Sequence, residues 1–287
     1  MNRLTGFLFE NQVAHGAVVE LSAGVAEMLG RRVYSPEMRG LLGEALAAMP
    51  LLATHLRFEG RINLQFQSEG ALKLLVAQVD HHLQVRAMAK AADGLRGSFG
   101  ELLRGGVLAL MLEPNGERPA SQAQVPIEGT SLAQALEGYF AQSEQLPTLI
   151  RIATAGDRAC GFLLQRLPLE DARGGEADWD DLAALAATLG SEELLATDAA
   201  TLVGRLFAGH ELRLFEPRAV SVACRCSRAG IARLLLSLGR KEVDAILAEQ
   251  GRVGVTCEFC GHEYVFKRNE ATELFAAAGT QPSETRH

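Results

Sequence analysis

Four of the five cysteines lie in two short motifs near the end of this 287-residue chain. Cys224 and Cys226 form a C-x-C motif, and after thirty intervening residues Cys257 and Cys260 form a C-x-x-C motif. Two thiol pairs separated by a small folded segment can bring four sulfur ligands around one tetrahedral ion, usually Zn²⁺. Gly261 follows the second pair and allows the backbone to turn beneath the metal. The sequence therefore predicts one zinc ion bound by these four cysteines.

The C-x-C spacing leaves a second chemistry open. Structural zinc motifs generally separate paired cysteines by two to four residues. A single intervening residue is tighter, and it can place the two Cα atoms within disulfide range. Cys224 and Cys226 can therefore serve as metal ligands or as a disulfide. From these residues alone, a purely structural zinc site is favoured over a redox switch.

The sequence contains other cysteine and histidine residues that are candidate ligands. His262 follows Cys260 closely and could replace one sulfur in a Cys₃His site, but four cysteines already fill a tetrahedral shell, so we expect it to be exposed or outside that shell. Cys160 has no cysteine or histidine near it in sequence and is expected to act as a buried small hydrophobe. His81 and His82 are expected to lie in a solvated hairpin turn rather than at a metal.

The composition is that of an ordinary globular protein, with 48% apolar and 22% charged residues. No apolar run reaches the roughly 18 residues of a membrane span. Glu10 interrupts the N-terminus before a signal-peptide core could form. We therefore expect a cytoplasmic protein with no membrane partner, in which thiols stay reduced and metal binding is favoured over a framework of disulfides.

Residues 1–168 are predicted to form an α+β domain of antiparallel strands and separate helices. We expect the first two strands to be joined through His15-Gly16. One helix is predicted to begin at Ser35-Pro36, and another to run from Ser131 to Leu146. The predicted strands lie at residues 6–10, 17–21, 61–67, 74–79, 83–88, 107–112, 122–127, 149–153 and 161–167.

Residues 169–217 are predicted to form an acidic helical linker, because they hold 11 acidic and only 3 basic residues. Three short helices are expected, with caps at Asp178, Ser191 and Asp198. Their apolar faces are mostly alanine, which buries little area per turn, and short helices are marginal in isolation. We therefore expect a metastable linker that folds only while other parts of the protein hold it.

Residues 218–287 are predicted to form a small zinc-binding α+β domain, with helices on both sides of Gly239, a β-hairpin and a final helix. A region of this size cannot bury enough core to be secure alone. Structural Zn²⁺ contributes roughly 10–16 kcal/mol of apparent folding free energy. Closing a loop of three or four residues with a disulfide contributes only about 2 kcal/mol. Oxidation of the cysteines should therefore unfold this domain.

Two other classes of function fit a paired-cysteine pattern. A zinc-ribbon nucleic-acid-binding regulator is the main alternative, but residues 218–287 hold 10 basic and 8 acidic residues, too few net charges to follow a phosphate backbone. A thiol–disulfide oxidoreductase needs its C-x-x-C motif at the start of a helix beside a strand, whereas a strand-like run follows Cys260. We therefore expect neither a nucleic-acid partner nor enzyme activity.

Seven segments of the chain share the pattern of one known family, and they lie at residues 8–11, 136–140, 143–148, 161–165, 224–228, 246–249 and 257–266. These segments resemble the redox-regulated heat-shock protein 33 kDa chaperonin family. The resemblance covers nearly the whole chain, and no zinc-ligand position departs from the family's pattern. Cys160 is not part of that pattern, and the resemblance assigns it no role.

The resemblance implies an ATP-independent holdase of the bacterial cytosol that binds unfolding client proteins under oxidative stress. It implies that the reduced protein binds one Zn²⁺ through the four cysteines and is inactive. On oxidation it implies the disulfides Cys224–Cys226 and Cys257–Cys260, release of zinc, and unfolding of the linker and the C-terminal domain. Activation as a homodimer, with client binding and dimerisation in the N-terminal domain, is also implied.

Overall fold

In the computed structural model the chain divides into two compact units, Met1–Ala223 and Cys224–His287. The structure describes residues 2–30, 32–55, 59–91, 95–116, 118–168 and 175–279. Each unit combines helices with mainly antiparallel strands, which confirms the predicted α+β class. Within these described ranges, no helix has both the length and the apolar character needed to cross a membrane.

The first unit is built from two sheets and the helices packed on them. Its strands are β1 (Arg3–Phe9), β2 (Ala14–Leu21), β3 (Gly60–Gln67), β4 (Leu72–Asp80), β5 (Gln84–Ala91), β6 (Val107–Pro114), β7 (Ser121–Pro126), β8 (Thr148–Ala155), β9 (Arg158–Arg166), β10 (Leu212–Leu214), β11 (Arg218–Ala219) and β12 (Ser221–Val222). Its helices are α1 (Val25–Gly30), α2 (Pro36–Leu52), α3 (Phe99–Leu102), α4 (Leu132–Tyr139), α5 (Glu176–Ala187), α6 (Ser191–Ala196) and α7 (Ala199–Leu206).

The first sheet has the strand order β10-β1-β2-β9-β8, with β11 also paired to β1, and the second has the order β12-β5-β4-β3-β6-β7. Helix α2 contacts strands of both sheets, including β9 and β5. It begins as predicted: the Ser35 side chain accepts a hydrogen bond from the Met38 N–H, and Pro36 occupies the first helical position. The core of the first unit therefore centres on α2.

The predicted turn at His15-Gly16 is wrong, because both residues lie inside β2. A Cβ on Gly16 would come within 2.2 Å of the Phe7 ring and 2.4 Å of the Leu163 carbonyl oxygen. The glycine is needed for this close packing rather than for a turn. The chain instead reverses just before β2, where Gln12 has a φ of 54°.

The helix predicted from Ser131 to Leu146 is α-helical only as far as Tyr139. A π-helical turn follows, and the Tyr139 hydroxyl donates a hydrogen bond to the Glu144 carboxylate at 2.9 Å. Gln145 then takes a left-handed conformation with a φ of 56°, which ends the helical segment before Pro147. The sequence pattern predicts the start of this helix correctly, but the predicted end lies beyond the observed one.

Helices α5, α6 and α7 lie on one face of the first sheet and share an apolar cluster with it. Trp179 and Phe207 from the helical segment join Phe7, Phe9 and Phe162 from the strands in this cluster. The Phe207 ring centroid lies 5.0 Å from that of Phe9 and 6.0 Å from that of Phe7. The expectation that these helices bury little is therefore wrong, since burying one such side chain contributes about 1.5–3 kcal/mol.

The chain that follows α7 is joined to both sheets by hydrogen bonds. Strands β10 and β11 pair antiparallel with β1, and β12 pairs parallel with β5. The Phe215 N–H donates to the Gly6 carbonyl at 2.9 Å, and the Ala223 N–H donates to the Val85 carbonyl at 3.1 Å. None of these three short strands was predicted from the sequence, because each has only two or three residues.

The second unit has a small apolar core. Gly239, with a φ of 89°, separates its first two helices as predicted. The buried core residues are Leu235, Val243, Leu247, Val253, Phe266 and Ala271. The elements are α8 (Arg228–Leu238), α9 (Arg240–Gln250), β13 (Arg252–Thr256), β14 (Glu263–Lys267) and α10 (Arg268–Gly279).

Candidate metal and redox site

The start of a helix and a turn hold the two cysteine motifs in position. Cys224 and Cys226 directly precede α8, whose N-cap Ser227 accepts a hydrogen bond from the Gly230 N–H at 3.1 Å. Cys257 follows β13, and its carbonyl accepts a hydrogen bond from the Gly261 N–H at 2.8 Å. Gly261 has a φ of 69°, a conformation that favours glycine. The turn between β13 and β14 therefore depends on the glycine that the sequence places after the second motif.

The fold brings the four sulfurs of Cys224, Cys226, Cys257 and Cys260 together, all within 4.8 Å of one another. Cys224 Sγ lies 3.6 Å from Cys257 Sγ, and Cys226 Sγ lies 3.5 Å from Cys260 Sγ. A tetrahedral ion with metal–sulfur bonds of about 2.3 Å requires sulfur–sulfur separations of about 3.8 Å. The donor set is therefore close to the arrangement that one metal ion needs.

The thiols share protons unequally when no metal neutralises them. For Cys224, burial opposes ionisation, but hydrogen bonds from the Cys226 backbone and the neighbouring thiols outweigh it and lower the pKa to about 7. Burial, together with the neighbouring thiols, raises the pKa of Cys226 to about 12. Burial also raises the pKa of Cys257. One thiolate therefore forms readily in this cluster, while further ionisation is resisted until a cation is present.

His262 does not share the site with the four sulfurs. Among the described residues, the group of side chains close enough to hold one ion contains only the cysteines. The His262 side chain is exposed, and its ring packs edge-on against Tyr264 with centroids 4.5 Å apart. This geometry supports a Cys₄ ligand set rather than Cys₃His.

The contact between Tyr264 and the sulfurs was not identified from the sequence, and neither were the partners of Arg228. The Tyr264 hydroxyl lies 3.2 Å from Cys226 Sγ and is positioned to donate a hydrogen bond to it. The Arg228 guanidinium lies 4.2 Å from the centre of the Phe266 ring and donates to the Glu270 carboxylate at 2.6 Å. The alternation along β14 could have placed Tyr264 and Phe266 on one face, but it could not have indicated the partner of either.

The other cysteine and histidine candidates lie in the first unit. Cys160 is 1% exposed, within the apolar cluster of the first sheet, and burial raises the pKa of its thiol. A buried thiol of this kind is unreactive. His81 and His82 lie at the turn between β4 and β5, and the His81 Nδ1 is 3.3 Å from the Gly60 backbone nitrogen.

Comparison with known proteins gives consistent results over nearly the full chain. The family model described as Hsp33 protein matches residues 2–267. A 33 kDa chaperonin of Pseudomonas aeruginosa strain LESB58 is 42% identical over 290 residues, covering 98% of this chain and 97% of the relative. A 33 kDa chaperonin of Nitrosococcus oceani is 40% identical over 288 residues, covering 100% and 99% of the two chains.

A crystal structure of the 33 kDa chaperonin of Thermotoga maritima has a similar fold, with a TM-score of 0.80 and 22% sequence identity. The similarity covers 98% of this chain and 100% of the Thermotoga chain. It supports the arrangement of sheets and helices described above. Together with the family match, these relatives show that this chain belongs to the Hsp33 protein family.

Proposed function

We propose that this protein is an ATP-independent holdase chaperone of the bacterial cytoplasm that is activated by oxidation and loss of Zn²⁺. The observation that carries the proposal is the cluster of four sulfurs inside a unit with a very small apolar core. Curated relatives across the whole length are named 33 kDa chaperonin, which supports chaperone activity in this chain. The protein is not proposed to be an enzyme.

Cys224, Cys226, Cys257 and Cys260 would hold one Zn²⁺ per chain in the reduced protein. Four thiolates in a tetrahedral arrangement are a ligand set typical of structural zinc. When bound, the ion would neutralise the charge of the sulfurs and join the segment before α8 to the turn between β13 and β14. Among its described residues, the second unit has six buried apolar side chains in its core, so much of its stability would depend on that link.

Oxidation would remove this stabilisation. A disulfide between two sulfurs uses up the thiolates that bind the metal, and the resulting loops of three or four residues contribute only about 2 kcal/mol. We propose that the disulfides are Cys224–Cys226 and Cys257–Cys260. Loss of zinc would then unfold residues 218–287 and release the acidic linker of residues 169–217 from the N-terminal domain, residues 1–168.

The apolar face beneath α5, α6 and α7 is the proposed client-binding surface. Phe7, Phe9 and Phe162 on the sheet are each at most 1% exposed while the helices cover them. Release of the helices would expose these side chains together with Trp179 and Phe207. A contiguous apolar area of this kind binds unfolded chains and also favours association into a homodimer.

The proposal is tested by measuring zinc content and suppression of aggregation on the same sample before and after hydrogen peroxide. The reduced protein should hold one zinc per chain and leave a chemically unfolded test protein free to aggregate. The oxidised protein should have lost the zinc and should prevent aggregation without ATP. Cys160→Ser is the matched control and should behave like the parent. Equal suppression before and after oxidation would contradict redox activation.

A further inference from the structure

The phenol of Tyr264 makes a specific contact with one sulfur of the cysteine cluster. Its oxygen lies 3.2 Å from Cys226 Sγ, within hydrogen-bonding range for sulfur. A metal-bound or ionised cysteine sulfur can only accept a hydrogen bond, so the tyrosine hydroxyl is the donor. This contact joins β14 to the C-x-C motif, which precedes α8.

The ring of Tyr264 is held in this orientation by the hairpin. The backbone of Tyr264 pairs with that of Val255 in the β13–β14 hairpin, two residues from the pair formed by Val253 and Phe266. The side chain is partly buried against the small core of the second unit, and His262 packs edge-on against its ring. The hydroxyl therefore reaches the sulfur from a constrained ring rather than from a mobile side chain.

A hydrogen bond of this kind changes the reactivity of a thiolate. The donor stabilises the negative charge on sulfur and withdraws electron density from the lone pair that attacks an oxidant. Hydrogen bonds to sulfur are one of the ways in which a protein tunes a metal–thiolate site. Without the hydroxyl, Cys226 would keep its position but become a stronger nucleophile.

We propose that Tyr264 is a positioning residue that slows the reaction of Cys226 with peroxide. This inference rests on the proposed redox function. Cys226 attacks one oxygen of hydrogen peroxide, a sulfur–oxygen bond forms, and the oxygen–oxygen bond breaks. Sulfur loses two electrons to the peroxide, hydroxide leaves, and Cys226 becomes a sulfenic acid. A neighbouring thiolate then attacks that sulfur, and a second hydroxide leaves as the disulfide forms.

The test compares Tyr264→Phe with Tyr139→Phe in the full-length, zinc-loaded protein. Each substitution removes one phenol oxygen, but the Tyr139 hydroxyl donates to Glu144 in the first unit. The rate at which peroxide modifies Cys226 is followed by mass spectrometry of alkylated peptides, and zinc release is followed with a chromogenic indicator. We expect Cys226 in Tyr264→Phe to react about three- to tenfold faster than in the parent, and Tyr139→Phe to match the parent.

Loss of zinc to a chelator in the absence of oxidant separates this role from general loosening of the unit. We expect Tyr264→Phe to lose zinc to the chelator at nearly the parental rate. The inference would be overturned if Tyr264→Phe lost zinc to the chelator faster by the same factor by which its oxidation is accelerated. It would also be overturned if all four cysteines were oxidised faster to the same extent. Parental reactivity of Cys226 in Tyr264→Phe would also overturn it. If the parent keeps its zinc in peroxide, the proposed function fails, while the Cys226 rates still decide the role of Tyr264.

Discussion

At the scale of single residues, the four sulfurs behave as one group. Cys224 and Cys257 are 3.6 Å apart, and Cys226 and Cys260 are 3.5 Å apart, so each sulfur is positioned to share a proton or a cation with a neighbour. Removing any one of them leaves three donors around an incomplete tetrahedral shell. The ligand assignment can therefore be tested one residue at a time.

Cys257→Ser is expected to weaken zinc binding by more than about 100-fold, because roughly 10–16 kcal/mol of folding-coupled binding is shared among four sulfurs. His262→Ala should keep parental affinity, since this side chain is exposed and lies outside the sulfur group. Cys160→Ser is the control for loss of a thiol and should also bind zinc normally. Affinity is measured by competition with a chelator. Normal binding in Cys257→Ser together with loss in His262→Ala would replace the Cys₄ assignment by Cys₃His.

Glu44 provides a test of pH dependence in the first unit. This carboxyl is partly buried on α2, and burial raises its pKa from 4.5 to about 7. The folded protein therefore binds a proton that the unfolded chain has already released. Stability from this group is highest below pH 4.5 and falls as the pH rises towards 7.

Glu44→Gln should consequently stabilise the protein by about 2 kcal/mol at pH 8 and by very little at pH 4.5. Thermal unfolding at the two pH values measures the difference. Glu69→Gln, at an exposed position in the loop before β4, is the matched control and should change neither value. A stabilisation of the Glu44 variant that is equal at both pH values would show that its carboxyl does not titrate in this range.

At the scale of elements, the segment α5–α7 covers the first sheet through a few large side chains. Phe207 is 1% exposed and contacts the aromatic rings of β1, whereas Phe215 is 47% exposed. Alanine substitution at these two positions therefore distinguishes the effect of lost packing from the effect of removing an exposed phenylalanine.

Phe207→Ala should weaken the docking of the segment by about 3–5 kcal/mol, because it leaves a cavity in the aromatic cluster. We expect this variant to suppress aggregation partly without peroxide while keeping one zinc per chain. Phe215→Ala should remain inactive until it is oxidised. If Phe207→Ala increases binding of a dye specific for apolar surface but does not protect a client, the covered face is not the client-binding surface.

The sequence predicted the long elements better than their connections. The serine cap and proline at the start of α2, and the alternation along β3 to β5, are local signals, and the structure contains all four elements. The role of Gly16 was not predictable, because it depends on the Phe7 ring on the neighbouring strand. Strands β10 to β12 were not predicted for the same reason, because strands of two or three residues form only by pairing with a neighbouring strand.

The candidate site was predicted in part. The positions of the four cysteines follow from spacing, because a C-x-C and a C-x-x-C motif around a folded segment can converge on one ion. The hydrogen bond from Tyr264 to Cys226 and the ion pair between Arg228 and Glu270 could not be predicted. Both join residues more than 35 positions apart, and only the folded hairpin and helices bring them together.

At the scale of the whole molecule, we propose that the metal unit controls whether the linker stays docked. The chain is continuous from α7 through β10, β11 and β12, and Cys224 comes directly after Ala223, whose N–H donates to Val85 in β5. Unfolding that begins at Cys224 therefore starts one residue from the end of the segment joined to both sheets. We propose that this segment and the helices before it are released when zinc is lost.

Hydrogen exchange on the reduced, zinc-loaded protein and on the peroxide-oxidised protein tests whether the metal unit controls the docking of the linker. Oxidation should lower protection across residues 178–278, including α5 to α7, because the linker is released together with the metal unit. Residues 1–168 should stay largely protected, since α2 and strands β1 to β9 do not depend on the metal. If α5 to α7 keep their protection after zinc has been lost, the metal unit does not control the linker.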